Sequence, residues 1–161
     1  MVGILIISHG RLAEALISSV QSLVGHLQKV KAVSIWPKDS NEEVKGRIRK
    51  NMEEVNDGNG VIILTDILGG TPTNLTLSLV QNESVEVITG VNTPMLLTLS
   101  SYRNGRSLRE IGKLVKESGR KSIILAKEVA MQLRETNAPY TKHNYGGINH
   151  DGIGESKGKE C

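Results

Sequence analysis

Gly3-Ile4-Leu5-Ile6-Ile7-Ser8-His9-Gly10 is the stretch on which the fold turns. Val2 to Ile7 is apolar apart from one glycine and rich in β-branched residues, as a strand buried on both faces should be. From Arg11 the spacing becomes helical: Leu12, Ala15, Leu16, Ser19, Val20 and Leu23 fall on one face, and the stripe ends near Gly25. His9 therefore lies at a strand-to-helix turn, at the carboxyl end of a predicted first parallel strand. In open α/β sheets that edge is where ligands bind, and a neutral imidazole near pH 7 can act there as a nucleophile.

The alternation continues along the chain. Val30 to Trp36 reads as a second strand closed by Pro37, with Trp36 as a packing residue at its end. Asp39-Ser40-Asn41 offers caps for a helix with Val44, Ile48, Met52 and Val55 on its apolar face, stopped by Asp57-Gly58-Asn59-Gly60. Val61 to Leu64 is a third buried strand ending at Thr65-Asp66. In Gly69-Gly70-Thr71-Pro72-Thr73-Asn74, Thr71 as N-cap and Pro72 at the first helical position predict a helix reaching about Gln81. Val85 to Ile88 is a fourth strand, and Asn92-Thr93-Pro94 repeats the cap-plus-proline signal. Ser107-Leu108-Arg109-Glu110 is a capping box for a helix expected to bury Leu108, Ile111, Leu114 and Val115 and to end at Gly119. Ser122 to Leu125 reads as a short fifth strand, with a return to helix before Pro139. Strands and helices in alternation predict a doubly wound α/β fold, a mainly parallel sheet with helices on both faces.

Residues 1–136 are expected to form the domain and 137–161 a flexible, polar, glycine-rich tail, in which three lysines balance three acids. Aromatic residues are 2% of the chain and Phe is absent, which argues against recognition by base stacking. A net charge of +3 is too small to imply nucleic acid. The single cysteine, Cys161, allows no internal disulfide and no cysteine metal cluster, and His143 and His150 lack companion ligands. The N-terminal apolar run is too short for a signal segment or a membrane span, and a cytoplasmic protein is expected. The cations Arg103, Arg106, Arg109, Lys113, Lys116, Arg120 and Lys121 outnumber Glu110 and Glu117 over 103–121. That stretch reads as a solvated helical face, with a docking surface for an acidic partner as the alternative.

Three strand ends converge on one rim: His9, Asp66 and Asn92-Thr93. The Gly69-Gly70 loop opens beside them into a helix at Thr71, where backbone amides and the positive dipole end suit an anion. A histidine nitrogen can attack phosphorus, and Asp66 can hold the other ring N–H, fixing the tautomer as the orienting acid of a triad does. Phosphoryl transfer of this kind needs positioning and charge stabilisation and implies neither metal nor cofactor. Ser8, Asn92 and Thr93 are expected to line the site.

Three motifs make the chain resemble the mannose-family enzyme IIA proteins of the bacterial phosphoenolpyruvate-dependent sugar phosphotransferase system, over roughly residues 1–130: Ile7-Ser8-His9-Gly10, the run from Thr65 through Asp66 and Gly69-Gly70-Thr71-Pro72 to Asn74, and Gly90-Val91-Asn92-Thr93-Pro94-Met95-Leu96. The resemblance implies that His9 is phosphorylated by phospho-HPr and passes the group to an enzyme IIB, that Asp66 pairs with the imidazole, and that Thr71 binds phosphate with Gly69 and Gly70. It also implies Nε2 as the phosphorylated nitrogen and a homodimer exchanging a C-terminal strand, for which Ser122–Leu125 is the candidate. Contact with a membrane would be indirect, through IIC and IID components. Thr71 stands where serine is common, which keeps the hydroxyl. No IIB domain follows, so the chain reads as a single-component IIA. Two other readings stay open: a regulatory phosphohistidine protein whose phosphorylation state controls a partner, and the phosphotransfer subunit of a dihydroxyacetone kinase.

Overall fold

The computed structural model describes residues 1–79 and 84–136; the predicted tail and the predicted helix end at Gln81 lie outside the described residues. The chain divides into two units, Met1–Arg120 and Lys121–Cys161. The first contains strands β1 (Gly3–His9), β2 (Val30–Ile35), β3 (Val61–Thr65) and β4 (Val85–Thr89). Helices α1 (Leu12–Val24), α2 (Asn41–Val55), α3 (Thr71–Leu79) and α4 (Thr93–Tyr102) follow them in turn, and α5 (Leu108–Lys121) runs to the boundary of the unit.

All strand pairs are parallel and the order is β2-β1-β3-β4. β1 and β3, the two central strands, are the apolar runs of the sequence, and their alternation assigns each residue to a face. Ile4, Ile6, Ile62 and Leu64 pack with Ala13, Val20, Leu96, Leu99, Ile111 and Val115 on one face. Leu5, Ile7 and Ile63 pack on the other with Val44, Ile48 and Val55 of α2 and Leu75 of α3. Helices on both faces explain why those strands carry no polar side. The chain leaves β1 for β2 on one side and then crosses to β3 on the other, so the strand order reverses between β1 and β3. Ile7 pairs with Thr65 at this switch point, and His9 and Asp66 follow at the carboxyl edge, where such folds open a crevice.

Local signals place most helix starts. The Ser40 hydroxyl accepts the Glu43 N–H while the Glu43 carboxylate accepts the Ser40 N–H, a complete capping box. Ser107 and Glu110 make the same exchange before α5, and Asn92 caps α4 through the Met95 N–H.

Several expectations are corrected. α3 begins one residue early: the Gly70 carbonyl accepts the Asn74 N–H at 3.0 Å, so Thr71 lies in the first turn and Gly70 takes the cap position. Gly119 does not end its helix. It is buried inside α5, where a Cβ would lie 2.6 Å from the Met95 side chain, so close packing of α4 on α5 accounts for the glycine. Leu114 is 38% exposed and outside the core. Arg103 is no part of a solvated face: it is buried, and its guanidinium donates to the carbonyls of Val2 and Gln28.

In the second unit Ser122–Leu125 forms no strand. A strand needs a ladder, and the sheet of the described residues runs β2-β1-β3-β4 without this segment. The Leu125 carbonyl instead accepts the Glu128 N–H at the start of α6 (Ala126–Thr136), and Ile123, Ile124 and Leu125 are exposed. No helix among the described residues is long and apolar enough to cross a membrane.

Candidate active site

His9 is the last residue of β1, and its neighbours fix both its backbone and its ring. The Asp66 Oδ2 accepts the His9 backbone N–H at 2.8 Å and lies 2.8 Å from ring Nδ1. A carboxylate has no proton to give, so Nδ1 is the donor and Nε2 carries the lone pair of the neutral ring. Oδ1 accepts the Ile67 N–H at 2.9 Å, which locks the carboxylate at the other end. The His9 side chain is 52% exposed and that of Asp66 only 13%: the ring faces outward and the acid bonded to it is enclosed. Burial pushes the Asp66 carboxyl up, but the N–H groups of His9 and Ile67 and the His9 ring together hold it below the ordinary value.

The loop after Asp66 closes on the ring. A Cβ at Gly70 would lie 2.9 Å from Ile67 Cγ2 and 3.3 Å from His9 Cε1, so a side chain there would crowd the imidazole. Gly69 is glycine for a different reason, its φ of +79°. Beyond them α3 starts, with Thr71 exposed and first-turn N–H groups that have no acceptor within the helix. His9, Asp66, Gly69, Gly70 and Thr71 thus gather at one place.

The expected lining residues have structural partners of their own. Ser8 is fully buried and its hydroxyl accepts the Ala13 N–H at 2.9 Å, so it anchors the start of α1. The Asn92 amide accepts from Met95 and donates to the Gly119 carbonyl at 3.2 Å, tying α4 to α5. Thr93 opens α4. Their turn does border the rim, because the Val91 N–H donates to the Thr65 carbonyl.

Two residues at the site were missed from sequence, Thr65 and Thr73. Thr73 Oγ1 donates to the Ile67 carbonyl at 2.8 Å and lies 2.7 Å from Thr65 Oγ1. Both threonines are buried. The signal was the second threonine of Thr71-Pro72-Thr73, which the cap reading of the first one obscured. Among the described residues, no group of three or more His, Cys, Asp or Glu is arranged to hold a metal.

A family profile described as PTS system fructose IIA component matches residues 3–116. The PTS system mannose-specific EIIAB component of Escherichia coli (strain K12) is 32% identical over 124 residues, 76% of this chain and 38% of that protein. The chain therefore spans well under half the length of that relative. The PTS system fructose-specific EIIA component of Bacillus subtilis (strain 168) is 24% identical over 138 residues, covering 85% of this chain and 94% of the relative. Among solved structures, the PTS IIA protein associated with the fucose utilization operon of Streptococcus pneumoniae has a TM-score of 0.70 at 30% identity, over 80% of this chain and 95% of that one. Phosphotransferase system component EIIA of Streptococcus agalactiae has a TM-score of 0.72 at 25% identity, over 80% and 99%. The profile match begins with the first residue of β1, continues into α5 and takes in His9, Asp66 and the Gly69–Thr71 helix start; on that match the chain belongs to the IIA family of the sugar phosphotransferase system.

Proposed function

We propose that the chain is a phosphoryl carrier in which His9 accepts a phosphoryl group from phospho-HPr and hands it to an enzyme IIB. The observation that carries the reading is the 2.8 Å contact between His9 Nδ1 and Asp66 Oδ2 at the sheet's switch point, because it leaves Nε2 as the nucleophile. The Nε2 lone pair attacks phosphorus, the N–P bond to the donor's imidazole breaks, and that electron pair returns to the donor ring. Nδ1 keeps its proton throughout, so the phosphorylated ring becomes cationic and the neighbouring Asp66 carboxylate offsets the charge. The start of α3, beside His9 Cε1, offers first-turn N–H groups and the Thr71 hydroxyl to the phosphoryl oxygens. Transfer to the acceptor reverses the same displacement on a second imidazole or on a thiolate.

The test is incubation with labelled phosphoenolpyruvate, enzyme I and HPr. Wild-type protein takes up an acid-labile, alkali-stable label and His9→Ala takes up none. Equal labelling of the two, or none in either, removes the reading.

The same proposal includes a homodimer. The outer edge of β4 has no ladder partner among the described residues, and Ile123, Ile124 and Leu125 are apolar and exposed. Residues 122–125 of a second copy are the segment suited to cover such an edge. Light scattering at micromolar concentration gives twice the chain mass on this reading and the chain mass otherwise.

A further inference from the structure

We infer that Thr73 is a positioning residue for phosphoryl transfer: its buried hydroxyl, backed by that of Thr65, clamps the loop that aims Asp66 at His9. The inference rests on the carrier reading above for its rate measurement, though not for its structural one.

The direction of the hydrogen bonds follows from chemistry. The Ile67 carbonyl can only accept, so the single Thr73 proton goes to it, at 2.8 Å. Thr73 can then only accept from Thr65, 2.7 Å away. Thr65 therefore donates to Thr73 and Thr73 donates to Ile67, within a region where Thr65 is 0% and Thr73 1% exposed. With little water to replace a lost partner, the relay has one arrangement.

Asp66 sits between its two ends. Thr65 before it is held in β3 and by the Val91 N–H on its carbonyl. Ile67 after it donates its N–H to Asp66 Oδ1 and has its carbonyl held by Thr73. Without that second hold the loop has much freedom, since Gly69 has a positive φ and the Ile67 and Leu68 side chains are exposed. An outer tether remains, from Asn74 Nδ2 to the Gly69 carbonyl at 3.1 Å, but it lies in an exposed setting three residues beyond Asp66. The buried hydroxyl is the tether next to the acid. Its effect on chemistry is indirect: a carboxylate displaced by about 1 Å no longer fixes the Nδ1–H tautomer, and misplacement of that size can lower rates by on the order of 100-fold.

Thr73→Val removes the donor and keeps the shape. In ¹⁵N-labelled protein, the His9 ring of the wild type shows the Nδ1–H tautomer, and Thr73→Val shifts it toward a mixture. The phosphoryl-uptake rate of that variant falls by on the order of 10–100-fold. Thr73→Ser restores both. Thr65→Val keeps the bond to Ile67 and removes only its backing, so it lowers the rate by less than Thr73→Val does, as does Asn74→Ala. If Thr73→Val fails to fold, Thr73→Ala removes the same donor without placing a branched methyl against the Thr65 hydroxyl, and it is read in the same two ways. A folded Thr73 variant with wild-type tautomer and wild-type rate overturns the inference. A wild type that takes up no phosphoryl group, yet whose tautomer depends on Thr73, overturns the carrier reading and leaves the positioning role standing.

Discussion

The two ends of the sheet are built on different principles. At the amino end, β1 is held by close packing and a buried side chain. A Cβ on Gly3 would lie 2.6 Å from the Val55 carbonyl oxygen, Val2 is fully buried, and the buried Arg103 ties Val2 to Gln28 through their carbonyls. At the carboxyl end the backbone opens into turns, and the ring of His9 is half exposed. Order there comes from hydrogen bonds on one loop: Asp66 to His9 and Ile67, Thr73 to Ile67, Asn74 to Gly69. One end resists change of shape because it has no room for it. The other holds the His9 ring in the open with directional bonds, which can fail without unfolding the sheet. Substitutions at the two ends should therefore separate stability from activity.

The largest effect is expected at Asp66. Asp66→Asn keeps the size, but its amide can present N–H toward Nδ1 and so favour the tautomer whose lone pair is on Nδ1. Phosphoryl uptake should fall by on the order of 10²–10⁴-fold, as for the orienting acid of a triad, with the melting temperature changed by only a few degrees. Quench-flow labelling and a thermal scan on the same sample measure both. Uptake within threefold of wild type would mean that the acid does not set the tautomer.

The reverse pattern is expected at Gly3. Gly3→Val is favourable for strand propensity, yet its Cβ meets backbone as well as the Val55 side chain at 2.9 Å. Overpacking of this kind costs about 1–3 kcal/mol, or roughly 3–10 °C for a chain of this size. Uptake per folded molecule at 25 °C should match wild type. A variant that loses rate along with stability would show that the two ends are coupled, and the contrast drawn above would fail.

What was legible in the sequence followed the same division. β1 and β3 announced themselves because strands buried on both faces show as uninterrupted apolar runs, and their ends located His9 and Asp66 without reference to any contact. Asn92 and Ser107 were legible, and Ser40 as one of three candidates, because a helix cap is a local chemical pattern. The misreadings depended on distant neighbours. Gly119 looked like a terminator, whereas it is a seat for Met95. Arg103 looked like one more surface cation, and only the fold brings the Val2 and Gln28 carbonyls to it. Ser122–Leu125 has the composition of a strand, yet the sheet of the described residues does not include it. Thr71 and Thr73 carry identical side chains two positions apart, so the pattern cannot say which hydroxyl turns inward. The structure buries Thr73 and exposes Thr71, and the register of α3 against β3 decides it.

The smallest expected effect compares one carboxylate from each end. Asp66 is held below its ordinary pKa by the His9 and Ile67 N–H groups against the opposing push of burial. Asp57, near the amino end, is lowered by the Asn59 side chain and then by the Met1 ammonium. A carboxyl whose folded pKa is depressed binds protons more weakly in the folded state, so each contributes stability above the unfolded value of about 3.9 and loses it as pH falls through the folded value. Stability of wild type minus that of Asp66→Asn should thus shrink as pH falls from about 5 toward 3. Asp39, Glu43, Glu54 and Glu110 are also lowered, but they are common to both proteins and cancel in the difference. Asp57→Asn should give the same shape with a smaller amplitude, because its carboxylate is 38% exposed against 13% for Asp66 and solvent screens it. Urea midpoints across that pH range measure both curves. Equal amplitudes would mean that enclosure of the acid by its loop adds nothing to the two hydrogen bonds from His9, and the directional order assigned to the carboxyl end would then reduce to that one pair.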